Sequence, residues 1–213
     1  MDALRQVHNR CKRSLIERTV QRGSYVLDCG CGRGGDLHKW NSVGAFVLGV
    51  DPDLASIEEA RRRASAMHIS RVKFDVGDIF IGKIYGPFDV ICYNFSIHYI
   101  APTLKESVEA IVSALKPGGL LIGITPDRER IRTFVSPDAL GNTVDVIDDT
   151  TVSVRLVDGP FYAQGGRREP MIGRRELEHA LAPWCTCVEW SPMITPSNGY
   201  VSDVYSTFIF RRY

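Results

Sequence analysis

The stretch VLDCGCGRGGDLHKW, from Val26 to Trp40, decides the fold. Ser24 to Asp28 reads as a buried strand, a glycine-dense turn follows, and Asp36 to Trp40 opens a helix. Gly30, Gly32 and Gly35 satisfy the spacing G-x-G-x-x-G, which needs this strand–turn–helix context to carry meaning. Working outward, Ala45 to Asp51 is a second strand and Leu54 to Met67 a helix. Arg71 to Asp75 and Phe88 to Phe95 are further strands. Thr103 to Leu115 places Leu104, Val108, Ile111, Val112 and Leu115 on one helical stripe. Lys116 to Gly119 (KPGG) stops it before a fifth strand, Leu120 to Thr125. Strand and helix in alternation predict a parallel sheet covered on both faces. Residues 137 to 172 break the pattern and read as an insertion of small antiparallel strands, or a lid. Arg174 to Leu181 is a last helix, and Val188 to Trp190 with Val204 to Phe210 close the sheet as an antiparallel pair at one edge. The expected fold is α/β and Rossmann-like: one domain over residues 1–213, with a mostly parallel seven-stranded sheet, an antiparallel edge strand and helices on both faces.

Composition narrows the function classes. Of 213 residues, 44% are apolar and 24% charged, an ordinary balance for a globular protein. No run approaches the ~20 apolar residues of a membrane span, and the first residues lack an apolar signal core, so neither membrane nor secretion is expected. The six cysteines (Cys11, Cys29, Cys31, Cys92, Cys185, Cys187) lack zinc-ligand spacing and read as reduced thiols of a cytoplasmic or nuclear protein. A net charge of +1 excludes a protein that grips nucleic acid through bulk charge, so any such substrate needs a local pocket.

The glycine spacing leaves a dinucleotide enzyme and a methyltransferase both open. Asp51, at the end of the second strand, stands about 20 residues beyond the loop, where a ribose-binding acid belongs in either case. Asp28 separates them. A carboxylate beside the loop repels a pyrophosphate, but favours a ligand carrying an ammonium and a sulfonium. Asp78 follows the third strand, placed to accept from an adenine amino group while Ile79 packs on the ring. Three acids after three successive strands suit S-adenosylmethionine, with Asp28, Asp51, Asp78, Ile79 and the glycines Gly30 and Gly32 as its contacts and no metal.

At these residues the sequence resembles the class I methyltransferases, and more narrowly the mRNA cap guanine-N7 methyltransferases. The Val26–Trp40 stretch carries most of the likeness. Asn9-Arg-Cys-Lys12 resembles the family's N-terminal helix (residues 1–22 here), whose Asn and Lys reach the cap and cofactor sides. Asn94-Phe95-Ser-Ile-His98-Tyr99 is similar to its Gln-Phe-x-x-His-Tyr motif, with Asn94 replacing the usual Gln at a cofactor contact. Gly123 to Asp127 resembles a further motif. Glu169-Pro-Met-Ile falls where the family carries Glu-Tyr-Leu-Val, whose acid holds the guanine, and Tyr205 falls where a late strand offers a tyrosine to the same base. The resemblance implies a capped RNA acceptor, with other capping domains (triphosphatase, guanylyltransferase) as partners in cis or trans, and the compact length points to a viral enzyme.

Chemistry then sets the roles. Guanine N7 has a lone pair and no proton, so no general acid or base is assigned. His98, Tyr99 and Glu169 act by positioning and electrostatics, Glu169 receiving N1–H and the 2-amino group and His98 donating to O6. Asn9, Phe95 and Tyr205 complete the cap side, and Arg10, Arg13 and Arg33 are candidates for the triphosphate. Two rival readings stay open: a methyltransferase for another small-molecule or base acceptor, and a non-catalytic S-adenosylmethionine-binding subunit of a capping complex.

Overall fold

A computed structural model describes residues 3–77, 86–157, 166–195 and 199–213. Helix α1 (Ala3–Thr19) precedes β1 (Tyr25–Cys29), α2 (Leu37–Val43), β2 (Phe46–Asp51), α3 (Leu54–Ala66), β3 (Val72–Val76) and β4 (Phe88–Asn94). A 3-10 segment (Ile97–Thr103) leads to α4 (Leu104–Ala114), β5 (Leu115–Pro126) and the short α5 (Arg128–Ile131). Then come β6 (Thr143–Val146), β7 (Thr151–Arg155), β8 (Arg167–Pro170), α6 (Arg174–Leu181), β9 (Cys185–Pro192), a 3-10 turn (Val201–Val204) and β10 (Tyr205–Arg212).

Seven strands form one sheet in the order β3-β2-β1-β4-β5-β10-β9. The first five are parallel, and β10 runs against β5 on one side and β9 on the other. The antiparallel pair closes the sheet as the sequence suggests, and the reversed strand is β10, one place in from the edge. Strand β9 is reached through a long crossover and so runs with the parallel five; β10 follows it by a short return.

Alternation of side chains explains why the middle strands read as unbroken apolar runs. On β1, Val26 enters the core shared with α1, α2 and α3, whereas Leu27 enters the core shared with α4 and α6. On β4, Val90 and Cys92 face the first core and Ile91 and Tyr93 the second, all at 3% exposure or less. Lys116 to Gly119 does not lie before β5 but within it: Phe88 pairs with Leu115 and Val90 with Leu120, so the KPGG segment loops out between the two. Residues 137–172 hold the second, three-stranded antiparallel sheet β6-β7-β8.

Candidate cofactor and acceptor site

The glycine loop leaves β1 where the parallel strands end, the usual place for a ligand in such a sheet. Gly30 and Cys31 both donate backbone N–H bonds to the Val50 carbonyl, at 2.8 and 3.1 Å, pinning the turn to β2. Gly30 has φ +74°, and a Cβ there would sit 2.7 Å from Ser96 Cβ, so only glycine fits. Gly32, at φ +50°, opens onto space with no atom within 4 Å of a Cβ position. Asp51 accepts from Gly32 N at 2.9 Å through one oxygen and from Asp53 N at 3.0 Å through the other. It therefore shapes the loop it was expected to serve.

Asp28, 5% exposed, accepts from Trp40 Nε1 at 2.9 Å, which binds α2 to the end of β1. Burial, and then the nearby Asp36 carboxylate, push its carboxyl up to about 7. Asp36 begins α2 but gives its helix no side-chain cap. One of its oxygens instead meets Lys12 Nζ at 2.8 Å and Lys39 Nζ at 2.7 Å, while the other accepts from Asn94 Nδ2 at 3.2 Å. Burial works against the charge, but the two ammonium groups prevail and bring its carboxyl down to about 2. Lys39 also donates to Asn9 Oδ1 and the Gly35 carbonyl, so α1, α2 and β4 meet at one buried ionic centre. The Asn94 side-chain oxygen is buried with no hydrogen-bond partner among the described residues.

Just past β4, Phe95 adopts φ +63°, a strained region for a residue with a Cβ, and its N–H bonds the Ile124 carbonyl at 2.8 Å. The kink brings its ring against His8 of α1 (centroids 5.0 Å, stacked) and Tyr205 of β10 (5.1 Å, edge-on). His8 also lies 5.3 Å from the Tyr205 ring and 3.2 Å from Ser202 Oγ. The 3-10 segment then delivers His98 and Tyr99 to Glu169 of β8. Tyr99 donates its hydroxyl to Glu169 Oε1 at 3.0 Å, and His98 Nε2 lies 3.5 Å from Oε2, too far for a good hydrogen bond. Glu169 is 6% exposed and His98 2%, and neither His98 ring nitrogen has a hydrogen-bond partner among the described residues. Burial and the Glu169 charge hold the Tyr99 and Tyr205 hydroxyls well above the usual phenol range. Glu169 therefore acts on both tyrosines as a buried anion.

The fold thus brings Phe95, His98, Tyr99, Glu169 and Tyr205 into one cluster, and Lys12, Asp28, Gly30, Gly32, Asp51 and Asn94 around the loop. Asn9 joins the second group through Lys39. Asp78 and Ile79 lie outside the described residues. Arg10, Arg13 and Arg33 are exposed; Arg13 pairs with Glu17, and the Arg33 carbonyl receives Arg63. Sequence reading passed over Lys39, Trp40 and Asp36 as functional groups, though all three stand inside the deciding motif. It also passed over His8 and Ser202, whose meeting across 194 positions no local signal announces. No cluster of metal-ligating groups is found among the described residues, and all six cysteines are free.

Known proteins place the chain. The Listeria monocytogenes putative S-adenosylmethionine dependent methyltransferase superposes with TM-score 0.71 at 16% identity, over 97% of this chain and 98% of its own. A Pyrococcus horikoshii protein gives TM-score 0.69 at 21% identity, over 96% and 91%. These establish the fold. The mRNA cap guanine-N(7) methyltransferase of Saccharomyces cerevisiae is 34% identical over 145 residues, covering 61% of this chain and 33% of its own. The corresponding Arabidopsis thaliana protein, mRNA cap guanine-N(7) methyltransferase 1, is 37% identical over 143 residues, 58% of this chain and 39% of its own. The chain thus spans about a third of the length of these curated relatives. The model of the mRNA (guanine-N(7))-methyltransferase domain matches residues 2–152, which leaves Glu169 and Tyr205 beyond the matched stretch. With that match over most of its length, the chain belongs to the mRNA (guanine-N(7))-methyltransferase domain family.

Proposed function

We propose that this chain transfers the methyl group of S-adenosylmethionine to N7 of the guanine that caps mRNA. The observation that carries the reading is the buried Glu169 carboxylate, held by Tyr99 and set beside His98 and the Phe95–Tyr205 ring pair. The carboxylate is 6% exposed, so solvent screens it weakly and its charge acts strongly on whatever lies against it. A guanine Watson–Crick edge offers N1–H and 2-amino donors, which a carboxylate accepts as a pair.

The residues present fit the cofactor. Gly30 and Gly32 form a cradle, open at Gly32, while Asn94 has a buried carbonyl oxygen to offer and Lys12 a cation. These groups and Asp51 would hold it. When bound, it supplies an electrophilic methyl: the N7 lone pair forms the new N–C bond as the C–S pair returns to sulfur. Guanine N7 needs no base, so this chain's work is alignment and electrostatics. As the ring becomes cationic its N1–H grows more acidic, and the Glu169 carboxylate binds it more tightly than it binds neutral guanine. His98 donates to O6, while Phe95 and Tyr205 wall the base. Arg10, Arg13 and Arg33 would meet the triphosphate. We extend the proposal to the setting: GpppN ends made by triphosphatase and guanylyltransferase domains, in cis or trans, in the cytoplasm or nucleus.

The test varies the acceptor. With labelled S-adenosylmethionine, label should enter GpppA-capped RNA and not the same RNA bearing pppA. Equal labelling of both, or of neither, would overturn the assignment.

A further inference from the structure

The small sheet β6-β7-β8 is anchored at both ends. Near β8, Arg128 donates to the Met171 carbonyl at 3.1 Å and pairs with Glu176 at 3.0 Å. Ahead of β6 the anchor is Asp138, 6% exposed, whose carboxylate accepts four hydrogen bonds. Its Oδ1 receives Leu140 N and Asn142 N, both at 2.9 Å. Its Oδ2 receives Asn142 Nδ2 at 2.9 Å and Val201 N at 3.0 Å. The first three belong to its own turn. Val201 comes from 63 positions away and opens the 3-10 turn that feeds β10. No cation bridges Asp138 among the described residues. Burial alone would raise its carboxyl, and the donors outweigh it and lower it.

Each side of this junction leads to the acceptor cluster. Asn142 passes the contact on, since its Oδ1 accepts from Val157 N at 2.9 Å just beyond β7. Strand β7 carries Val152, the register partner of Glu169. On the other side, Ser202 of the Val201–Val204 turn meets His8, which stacks on Phe95, and the turn runs directly into Tyr205. The Val204 carbonyl accepts from Asp127 N at 2.8 Å, fixing the turn to the end of β5.

We propose that Asp138 is a positioning residue for the acceptor pocket: its carboxylate fixes the sheet carrying Glu169 against the turn that sets Tyr205 and His8. The inference rests on reading that cluster as the acceptor site. A purely local role would be to hold the Asp138–Asn142 turn. The two roles separate chemically, because the local bonds can be rebuilt without the bond to Val201. In Asp138→Asn, the amide group replaces Oδ2 and presents a donor to two donors. In the double variant Asp138→Asn/Asn142→Asp, the side-chain pair is restored in reverse and Val157 N keeps an acceptor. Val201 N still finds none.

The experiment measures three quantities on the full chain: KM for GpppA-capped RNA, Kd for S-adenosylmethionine, and Tm. Asp138→Asn should raise KM by about tenfold through an unsatisfied buried donor, with Kd unchanged. The double variant should recover the part of the lost Tm that belongs to the Asp138–Asn142 turn while KM stays raised. Recovery of KM together with Tm would overturn the proposal in favour of the local role, and so would an unchanged KM in both variants. If the wild type labels no capped RNA, the acceptor reading itself has failed, and amide exchange then judges the junction. In the double variant, exchange should quicken at residues 199–205 with 143–157 still protected; equal protection at both would overturn it.

Discussion

Replacing Glu169 with glutamine removes one charge from the acceptor cluster and nearly preserves its shape. The side-chain amide oxygen still accepts from the Tyr99 hydroxyl, which lies 3.0 Å from Oε1 in the native protein. With 6% exposure, solvent screens the carboxylate weakly. A carboxylate on the Watson–Crick edge of guanine is about 6 Å from the charge that methylation brings to the ring. At an effective dielectric of about 20, opposite unit charges at that distance interact by about 3 kcal/mol. If roughly half the charge has developed at the transition state, about 1.5 kcal/mol is lost, and a fuller charge takes the loss towards 3. Glu169→Gln should thus lower kcat/KM for capped RNA by about 10- to 100-fold. Its Kd for S-adenosylmethionine should stay unchanged, and its Tm should not fall, because an amide is cheaper to bury than a carboxylate. Initial rates of methyl transfer, cofactor titration calorimetry and thermal melts measure the three. A kcat/KM within about threefold of wild type would refute the electrostatic role. A lost cofactor affinity would show that Glu169 instead supports the glycine loop.

Other expectations follow from the loop and its ionic centre. Asp28 is pushed up from 3.8 to about 7, so the stability it lends is present below about pH 4 and lost as pH rises through 7. Asp28→Asn, which can still accept from Trp40, should flatten the Tm–pH profile over that window; an unchanged slope in the melts would contradict the shift. Lys39→Met strips Asp36 of a 5%-exposed partner and should cost about 3 kcal/mol in denaturant unfolding. Lys12→Met, at the more open partner, should cost less and act chiefly on S-adenosylmethionine affinity; the reverse order would reassign the two lysines. Gly30→Ala forces a Cβ to 2.7 Å from Ser96 at φ +74° and should lose about 2 kcal/mol of stability. Gly32→Ala, at φ +50° in open space, should lose about 1 kcal/mol yet weaken cofactor binding at least as much; intact binding there would move the cofactor elsewhere.

The parts of the fold legible in the sequence are those with local causes. The β1–loop–α2 unit could be read because strand, glycines and helix follow within fifteen positions of Val26–Trp40, and α6 because Arg174–Leu181 has a clear start and stop. The KPGG segment misled, since a helix stop and a kink within a strand demand the same residues. Partnerships were the illegible part. Asp36 stands in the deciding motif, but its lysine from α1 and its asparagine from β4 are brought by packing, not by spacing. His98 and Tyr99 carried a motif, whereas the depth of Glu169 depends on β8 docking against the 3-10 segment, which an inserted sheet does not announce. His8 reads as one more polar residue on a basic helix until Phe95 turns its ring towards it through a positive φ.

The most direct test is to identify the product. GpppA-capped RNA is incubated with the chain and S-adenosylmethionine, digested to the cap dinucleotide, and the methylated position assigned by mass spectrometry against authentic 7-methylguanosine cap. The account predicts one methyl group, on guanine N7, with its yield reduced in Glu169→Gln. A methyl group on the ribose or the adenine, or no transfer by a protein that binds the cofactor, would contradict it.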